Sequence, residues 1–151
     1  MCSSDLLARV SSTQLDIGKI MDTWTRQMGY PVLTVERVKP TEWRLVQSRY
    51  LLDPSAENQS SASPYNYKWE VPITWITSAD PTAKSQTWLG SDDPFVLVSA
   101  QSGTDWVKFN VGQYGFYRVN YPETEWLTFA QLLMESHEIF RYMSHTIVSV
   151  A

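Results

Sequence analysis

The pattern of apolar and polar positions changes period twice along the 151 residues. From Asp16 onward, Ile17, Ile20, Met21, Trp24 and Met28 recur at the spacing of one helix face, with Lys19, Asp22 and Arg26 between them. Asp16 can accept from the first free backbone amides, and Gly29 stands where a helix stops. Tyr30-Pro31 then holds the chain extended. The spacing predicts a helix over 16–28. Before it, residues 1–15 carry no clean period and at most one helical turn at Leu6-Leu7-Ala8.

After Pro31 the period falls to about two, the repeat of a strand. Val32 to Val35 and Glu42 to Leu52 are rich in β-branched and aromatic residues, with Lys39-Pro40 as the turn between them. Residues 53–66 have no apolar period and predict a long surface loop. The clearest alternation is Trp69, Val71, Ile73 and Trp75 against Glu70, Pro72 and Thr74; Pro72 lacks a ladder donor and predicts an edge strand or a bulge. Gln86 to Leu89 and Phe95 to Ser99 are further strands, bracketed by turns at Asp80-Pro81 and Ser91 to Pro94. Trp106 to Val111 and Phe116 to Tyr121 flank Gly112-Gln113-Tyr114-Gly115, which predicts a hairpin. Pro122 then opens a helix over 122–136, with Glu123 and Glu125 meeting the helix dipole and Trp126, Ala130, Leu133 and Met134 on one face. The expected fold is mainly β, an antiparallel β-sandwich flanked by one helix at each end.

Composition narrows the function classes. Hydrophobic residues make up 43% and charged residues 19%, a globular balance, and seven Trp, eight Tyr and five Phe favour strands and a large buried area. A net charge of -4 supplies no basic field for nucleic acid or anionic lipid. The single cysteine, Cys2, cannot close an internal disulfide. No window approaches eighteen apolar residues, and Met1-Cys2-Ser3-Ser4-Asp5 lacks the basic flank and apolar run of a signal peptide. Asn58-Gln59-Ser60 is an acceptor for N-glycosylation, of little weight in a chain so rich in Ser and Thr.

Candidate chemistry is sparse. His137-Glu138-Ile139-Phe140-Arg141 has the outline of the H-E-x-x-H zinc helix, but Arg141 replaces the second histidine, and a guanidinium offers no lone pair to a metal. His145 could share a helix face with His137, yet no third ligand stands nearby. Asp92-Asp93 lies in a turn before Pro94, and Glu123 and Glu125 begin a helix, so each acid has a local structural reason. No Gly-rich phosphate loop, nucleophile elbow or CxxC is present. Trp69 and Trp75 share the strand face that a core would claim, which favours packing over a sugar-stacking platform; Trp43 and Trp88, near strand ends, stay open to either.

Two runs carry a resemblance. Asp16 to Val32, containing Trp24-Thr25-Arg26-Gln27-Met28-Gly29-Tyr30-Pro31, closely resembles the end of the catalytic domain in membrane zinc aminopeptidases of the glutamyl and alanyl group. In that family the pattern W-T-x-Q-x-G-Y-P leads into a small third domain, a β-sandwich. Val107-Lys108-Phe109-Asn110 through Gly115-Phe116-Tyr117-Arg118-Val119-Asn120-Tyr121 is similar to the strand pair that closes this sandwich and enters a helical fourth domain. The resemblance implies that 16–30 ends a catalytic domain, 31–121 is the sandwich and 122–140 begins the helical domain; 1–15 and 141–151 depart from the family pattern.

It also implies that the zinc helix, distal glutamate ligand, amine-binding motif and catalytic tyrosine would lie before Asp16. No catalytic, metal or cofactor residue is then carried onto this chain, and zinc belongs to the longer protein. The expected partners are the missing catalytic and helical domains, met through Trp24, Met28 and Trp126. Peptide substrates would be met only through the longer protein, a membrane-anchored ectodomain on the extracellular face of the plasma membrane, whose dimerisation stays open. On this reading the chain is a structural spacer fragment. The alternative is a free-standing β-sandwich module that binds a protein or glycan. A third reading, a peptidase active by itself, is disfavoured by the missing ligands.

Overall fold

The computed structural model describes residues 15–53 and 63–135. A first helix, α1 (Ile17–Thr25), precedes seven strands: β1 (Pro31–Lys39), β2 (Glu42–Arg49), β3 (Val71–Thr77), β4 (Ser85–Leu89), β5 (Val96–Ser99), β6 (Val107–Phe109) and β7 (Arg118–Asn120). A second helix, α2 (Glu123–Glu135), follows. The strands form a four-stranded sheet of order β5-β2-β1-β7 and a three-stranded sheet of order β4-β3-β6. The mainly β architecture with a helix near each end is thus as the periodicity predicts.

Period-two alternation builds the core. Leu33 and Val35 on β1 register with Gln47 and Leu45 on β2, and these inward positions are buried together with Trp43. The second sheet contributes Val71, Ile73, Leu89, Val107 and Phe109, and Trp69 just before β3 is wholly buried. Each sequestered aliphatic or phenyl side chain stabilises the fold by about 1.5–3 kcal/mol. Trp43 and Trp69 therefore serve packing.

Between the apolar side chains lies one polar bridge. Gln47, 1% exposed, donates from Nε2 to the carbonyls of Trp69 (3.0 Å) and Gly90 (3.1 Å), while its Oε1 accepts from the Trp69 amide (2.8 Å). A glutamine fits this position because its amide supplies a donor and an acceptor at once. The bridge binds the four-stranded sheet to the segments that bound β3 and β4, so it fixes the spacing of the layers as well as satisfying buried backbone.

Four local readings need correction. The predicted hairpin at 106–121 does not form: β6 pairs antiparallel with β3, whereas β7 crosses to the other sheet and pairs parallel with β1, Val32 opposite Arg118. The sandwich is therefore not wholly antiparallel. Asn110 is the physical reason. It sits in the left-handed region (φ 55), followed by a 3₁₀ turn at Val111–Gln113, and its amide bonds Gly115 through both N–H and C=O and also reaches the Tyr117 carbonyl. One side chain thus occupies the place a facing strand would take. Of the two glycines, Gly112 has positive φ, while Gly115 admits the ring of Tyr117, which a Cβ there would meet at 2.1 Å.

The third correction concerns Pro72, which lies in the central strand of its sheet rather than in an edge strand. It stands at the end of β3 that β6 does not reach, since β6 pairs only with Trp75 to Thr77, so its missing donor breaks no ladder there. Finally, α1 ends at Thr25 rather than Met28. Side chains compete for the last carbonyls: Thr25 Oγ1 donates to Met21 and Gln27 Nε2 to Thr23.

Replacing Gln47 by Leu keeps the volume and removes the bridge. The buried Trp69 amide and carbonyl then lose their partner, at about 1–3 kcal/mol for each group. Gln47→Leu is expected to lower the urea midpoint accordingly, and Gln47→Glu, which keeps an acceptor but loses both donated bonds, is expected to be no better.

Candidate functional site

The residues with the most elaborate surroundings lie where the two helices seat on the sandwich. At the α1 seat, Asp16 caps the helix by accepting from the Lys19 amide at 2.9 Å. The helix then reads the backbone of residues 68–70 with three consecutive contacts. Gln27 Nε2 donates to the Lys68 carbonyl (2.8 Å), the Glu70 amide donates to Thr23 Oγ1 (3.2 Å), and Trp24 Nε1 donates to the Glu70 carbonyl (2.9 Å). Thr23 is 0% exposed, and the Trp24 ring leans on Trp69 at 6.2 Å between centroids. The backbone just before β3 thereby finds partners on a helix instead of on another strand.

Charge reinforces the seat. Lys19 Nζ lies 2.9 Å from Glu70 Oε1 and 3.0 Å from Asp92 Oδ2, and Ser91 donates to Glu70 from both its amide and its hydroxyl. Burial alone would push the Glu70 carboxyl up, but the Ser91 amide, Lys19 and the Ser91 hydroxyl together hold it below the usual range. Lys19 is pushed upward by its bonds to Glu70 and Asp92. Asp92 is thus an exposed ion-pair partner, and Asp93 closes its own turn by accepting from the Gly90 amide. Neither is placed as an acid or base for catalysis.

The apolar stripe assigned to α1 faces the core only in part, through half-buried Trp24 and Ile20. Ile17, Met21 and Met28 are 63%, 52% and 69% exposed, while the polar edge of Thr23 and Gln27 is seated. Trp24 is half-buried against the core, so of the two interdomain candidates on this side only Met28 is open.

Glu125 organises the α2 seat. It is 5% exposed, and its Oε1 accepts from Trp43 Nε1 at 2.8 Å while Oε2 has no hydrogen-bond partner among the described residues. Arg37 stacks over the Trp43 ring at 4.8 Å and donates to the Thr104 and Asp105 carbonyls. Tyr121, Trp126 and Phe129 meet edge to face, Trp106 meets Phe129 in the same way, and Tyr121 Oη accepts from the Phe109 amide at 2.7 Å. Burial pushes Glu125 up, against the opposing pull of the Trp43 N–H and Arg37. The buried face of α2 therefore runs through Glu125 and Phe129, whereas Ala130 and Met134 of the predicted face are exposed. Trp126 is half-buried, packed on Tyr121 and Phe129.

The two histidines and the cysteine lie at 137, 145 and 2, outside the described residues, as do Glu138, Arg141 and Asn58. Among the described residues no three acidic, histidine or cysteine side chains converge. Trp75 and half-buried Trp88 differ from Trp69: Trp75 lines an open crevice of about 330 Å³ with Thr77, Asp80, Ser85, Ser99 and Gln101. None of the buried, unpartnered polar atoms lines it. No helix among the described residues is long and apolar enough to cross a membrane.

Glu125 gives the α2 seat a signed pH dependence. Its folded pKa is raised above the ordinary 4.5, so the buried charge weakens the fold at neutral pH and the penalty is relieved as pH falls through the raised value toward 4.5. Glu125→Gln keeps an acceptor for Trp43 and is expected to flatten this part of the stability profile, read from urea unfolding between pH 4.5 and 7. Glu125→Ala leaves the Trp43 N–H buried and unpaired, and is expected to lie about 1–3 kcal/mol below Glu125→Gln at every pH, since neither variant titrates there.

No family model matches the chain. Single relatives do. Glutamyl aminopeptidase of Homo sapiens is 38% identical over 146 residues, covering 91% of this chain and 14% of that protein. Aminopeptidase A of Gloydius brevicauda is 35% identical over 128 residues, 82% of this chain and 13% of the relative. Aminopeptidase N of Haemonchus contortus is 33% identical over 150 residues, 91% of this chain and 15% of its own length. The chain thus spans only a small part of each relative. It is homologous to one segment, 13–15% of the length, of the glutamyl aminopeptidase and aminopeptidase N family.

Proposed function

We propose that this chain is a non-catalytic spacer segment of a zinc-dependent aminopeptidase, holding a catalytic unit on the α1 side and a helical unit continuing from α2. The orientation of α1 carries this reading. A helix pinned by Thr23, Trp24 and the following Gln27, with Ile17, Met21 and the adjacent Met28 turned outward, leaves apolar surface that a free-standing domain would bury and that a neighbour covers. On α2, Leu127 (60%) and Met134 (86%) are likewise open beside a well-anchored inner face.

The two seats also have a defined separation. Gln47, next to the α1 seat, and Trp43, at the α2 seat, point inward from the same strand with Leu45 between them. That places the anchors about 13 Å apart along β2 at roughly 3.3 Å per residue. A packed sandwich keeps such a distance far better than a linker would. Zinc, peptide substrate and the extracellular, membrane-anchored setting would all belong to the longer protein. The residues that hold the metal and choose the N-terminal residue would lie before α1.

Two measurements test the proposal together. Purified chain with zinc and an aminoacyl-arylamide is expected to release no arylamine; sustained release blocked by a chelator would overturn it. Changing Ile17, Met21 and Met28 to Lys is expected to reduce self-association in light scattering while leaving the melting temperature within a few degrees, since exposed positions away from buried contacts shift stability by only about 0.5 kcal/mol. A large drop in melting temperature would mean that the stripe is core after all.

A further inference from the structure

Lys108 is out of place. It is the middle residue of β6, which lies at the edge of its sheet with β3 on one side only. Edge strands commonly carry lysine because the ammonium reaches water and discourages pairing with another chain. Here the residue is only 9% exposed, and its flanks Val107 and Phe109 are buried as well. The ammonium forms no ion pair among the described residues, and its one contact is with the Phe109 carbonyl, at 3.4 Å. Other buried polar side chains near the helix seats do have a close partner of complementary chemistry: Gln47 has backbone, Glu70 has Lys19, and Glu125 has Trp43.

Desolvation without an anion has the expected electrostatic result. Burial lowers the Lys108 pKa from 10.5 to about 8. At neutral pH that still leaves the side chain mostly charged, so loss of the proton does not remove the cost of burying it. A buried cation of this kind is stable where an anion meets it. No second strand pairs with β6 beyond β3 among the described residues, the Phe109 amide bonding Tyr121 Oη instead, and most of the length of the homologous proteins lies outside this segment.

We propose that Lys108 is the docking point for an Asp or Glu side chain carried by the flanking part of the longer aminopeptidase, which packs against β6 where Lys108 keeps its remaining exposure. This rests on the spacer reading given above. The segment then presents two kinds of contact to its neighbours: an apolar stripe on α1 and a single buried cation on the sandwich.

The test compares the 151-residue chain with the same chain extended at both ends by the sequence that flanks the matched segment in glutamyl aminopeptidase. Selective ¹³C labelling of lysine side chains follows the Lys108 Cε resonance with pH, identified by its loss in Lys108→Met. In the short chain the midpoint is expected near 8, and in the extended chain at or above 10.5. Lys108→Met is expected to raise the melting temperature of the short chain, by removing an uncompensated charge, and to lower that of the extended one. This reversal of sign is what a merely structural lysine would not produce. A midpoint near 10.5 in the short chain overturns the proposal. Radical footprinting of Met21 and Met28 separates the remaining outcomes. If they become protected in the extended chain while Lys108 still titrates near 8, the ion pair is refuted and the spacer reading stands. If they stay labelled and Lys108 is unmoved, both fail.

Discussion

The whole arrangement hangs on the buried amide of Gln47. It is the point at which the four-stranded sheet grips the chain just outside the other sheet, by taking both the N–H and the C=O of Trp69. Holding Trp69 fixes the backbone on either side of it, and Lys68 and Glu70 are what α1 reads through Gln27, Thr23 and Trp24. Without that bridge the helix would still have its cap and its period. It would have nothing rigid to lie on.

Polar side chains rather than apolar ones therefore decide how the parts are placed. The core supplies most of the burial energy, but a packed face tolerates small slips and rotations, whereas a bidentate amide or an indole donor tolerates few. Gln47, Thr23 and Trp24 set the first helix, Asn110 turns the chain between sheets, and Glu125 with Trp43 sets the second helix. Each is buried or half-buried and each bonds to a group distant in sequence or to the backbone of a turn. A structural segment in a larger protein needs this kind of definition, because an error in the tilt of a seat is magnified across whatever it carries.

The strands and the two helices were legible in the sequence because their signals are local: period two in Trp69 to Trp75, period 3.6 in α1, a proline and acidic residues opening α2. Orientation was not. The inward side of α1 joins Trp24 to polar Thr23 and the following Gln27, and its partners at Lys68 and Glu70 lie more than forty positions away, beyond the reach of any periodicity. Thr23 and Gln27 one turn apart beside Trp24 were the available clue, since polar residues at that spacing on a helix suggest a shared partner. Glu125 was hidden by a sufficient explanation, its favourable place in the first turn. The glycines at 112 and 115 suggested a tight return, and the chain does turn there; only the left-handed Asn110 shows that it returns to the other sheet. Nothing in the residues around Lys108 marks it as buried, because its cover comes from the fold and not from its own strand.

The parallel pairing of β1 with β7 bears on how the segment would respond to mechanical load. The chain runs into the sandwich through Pro31 and leaves it after Asn120, and these two strands lie side by side pointing the same way. Pulling on the two ends in opposite directions slides β1 along β7, so the cross-strand hydrogen bonds are strained together in shear. In an antiparallel pair loaded at one end they would open singly, like a zip. Tension passing between whatever precedes α1 and whatever follows α2 thus meets the sheet in its stiffest direction, and the β1–β2 and β2–β5 ladders beside it carry none of that load directly.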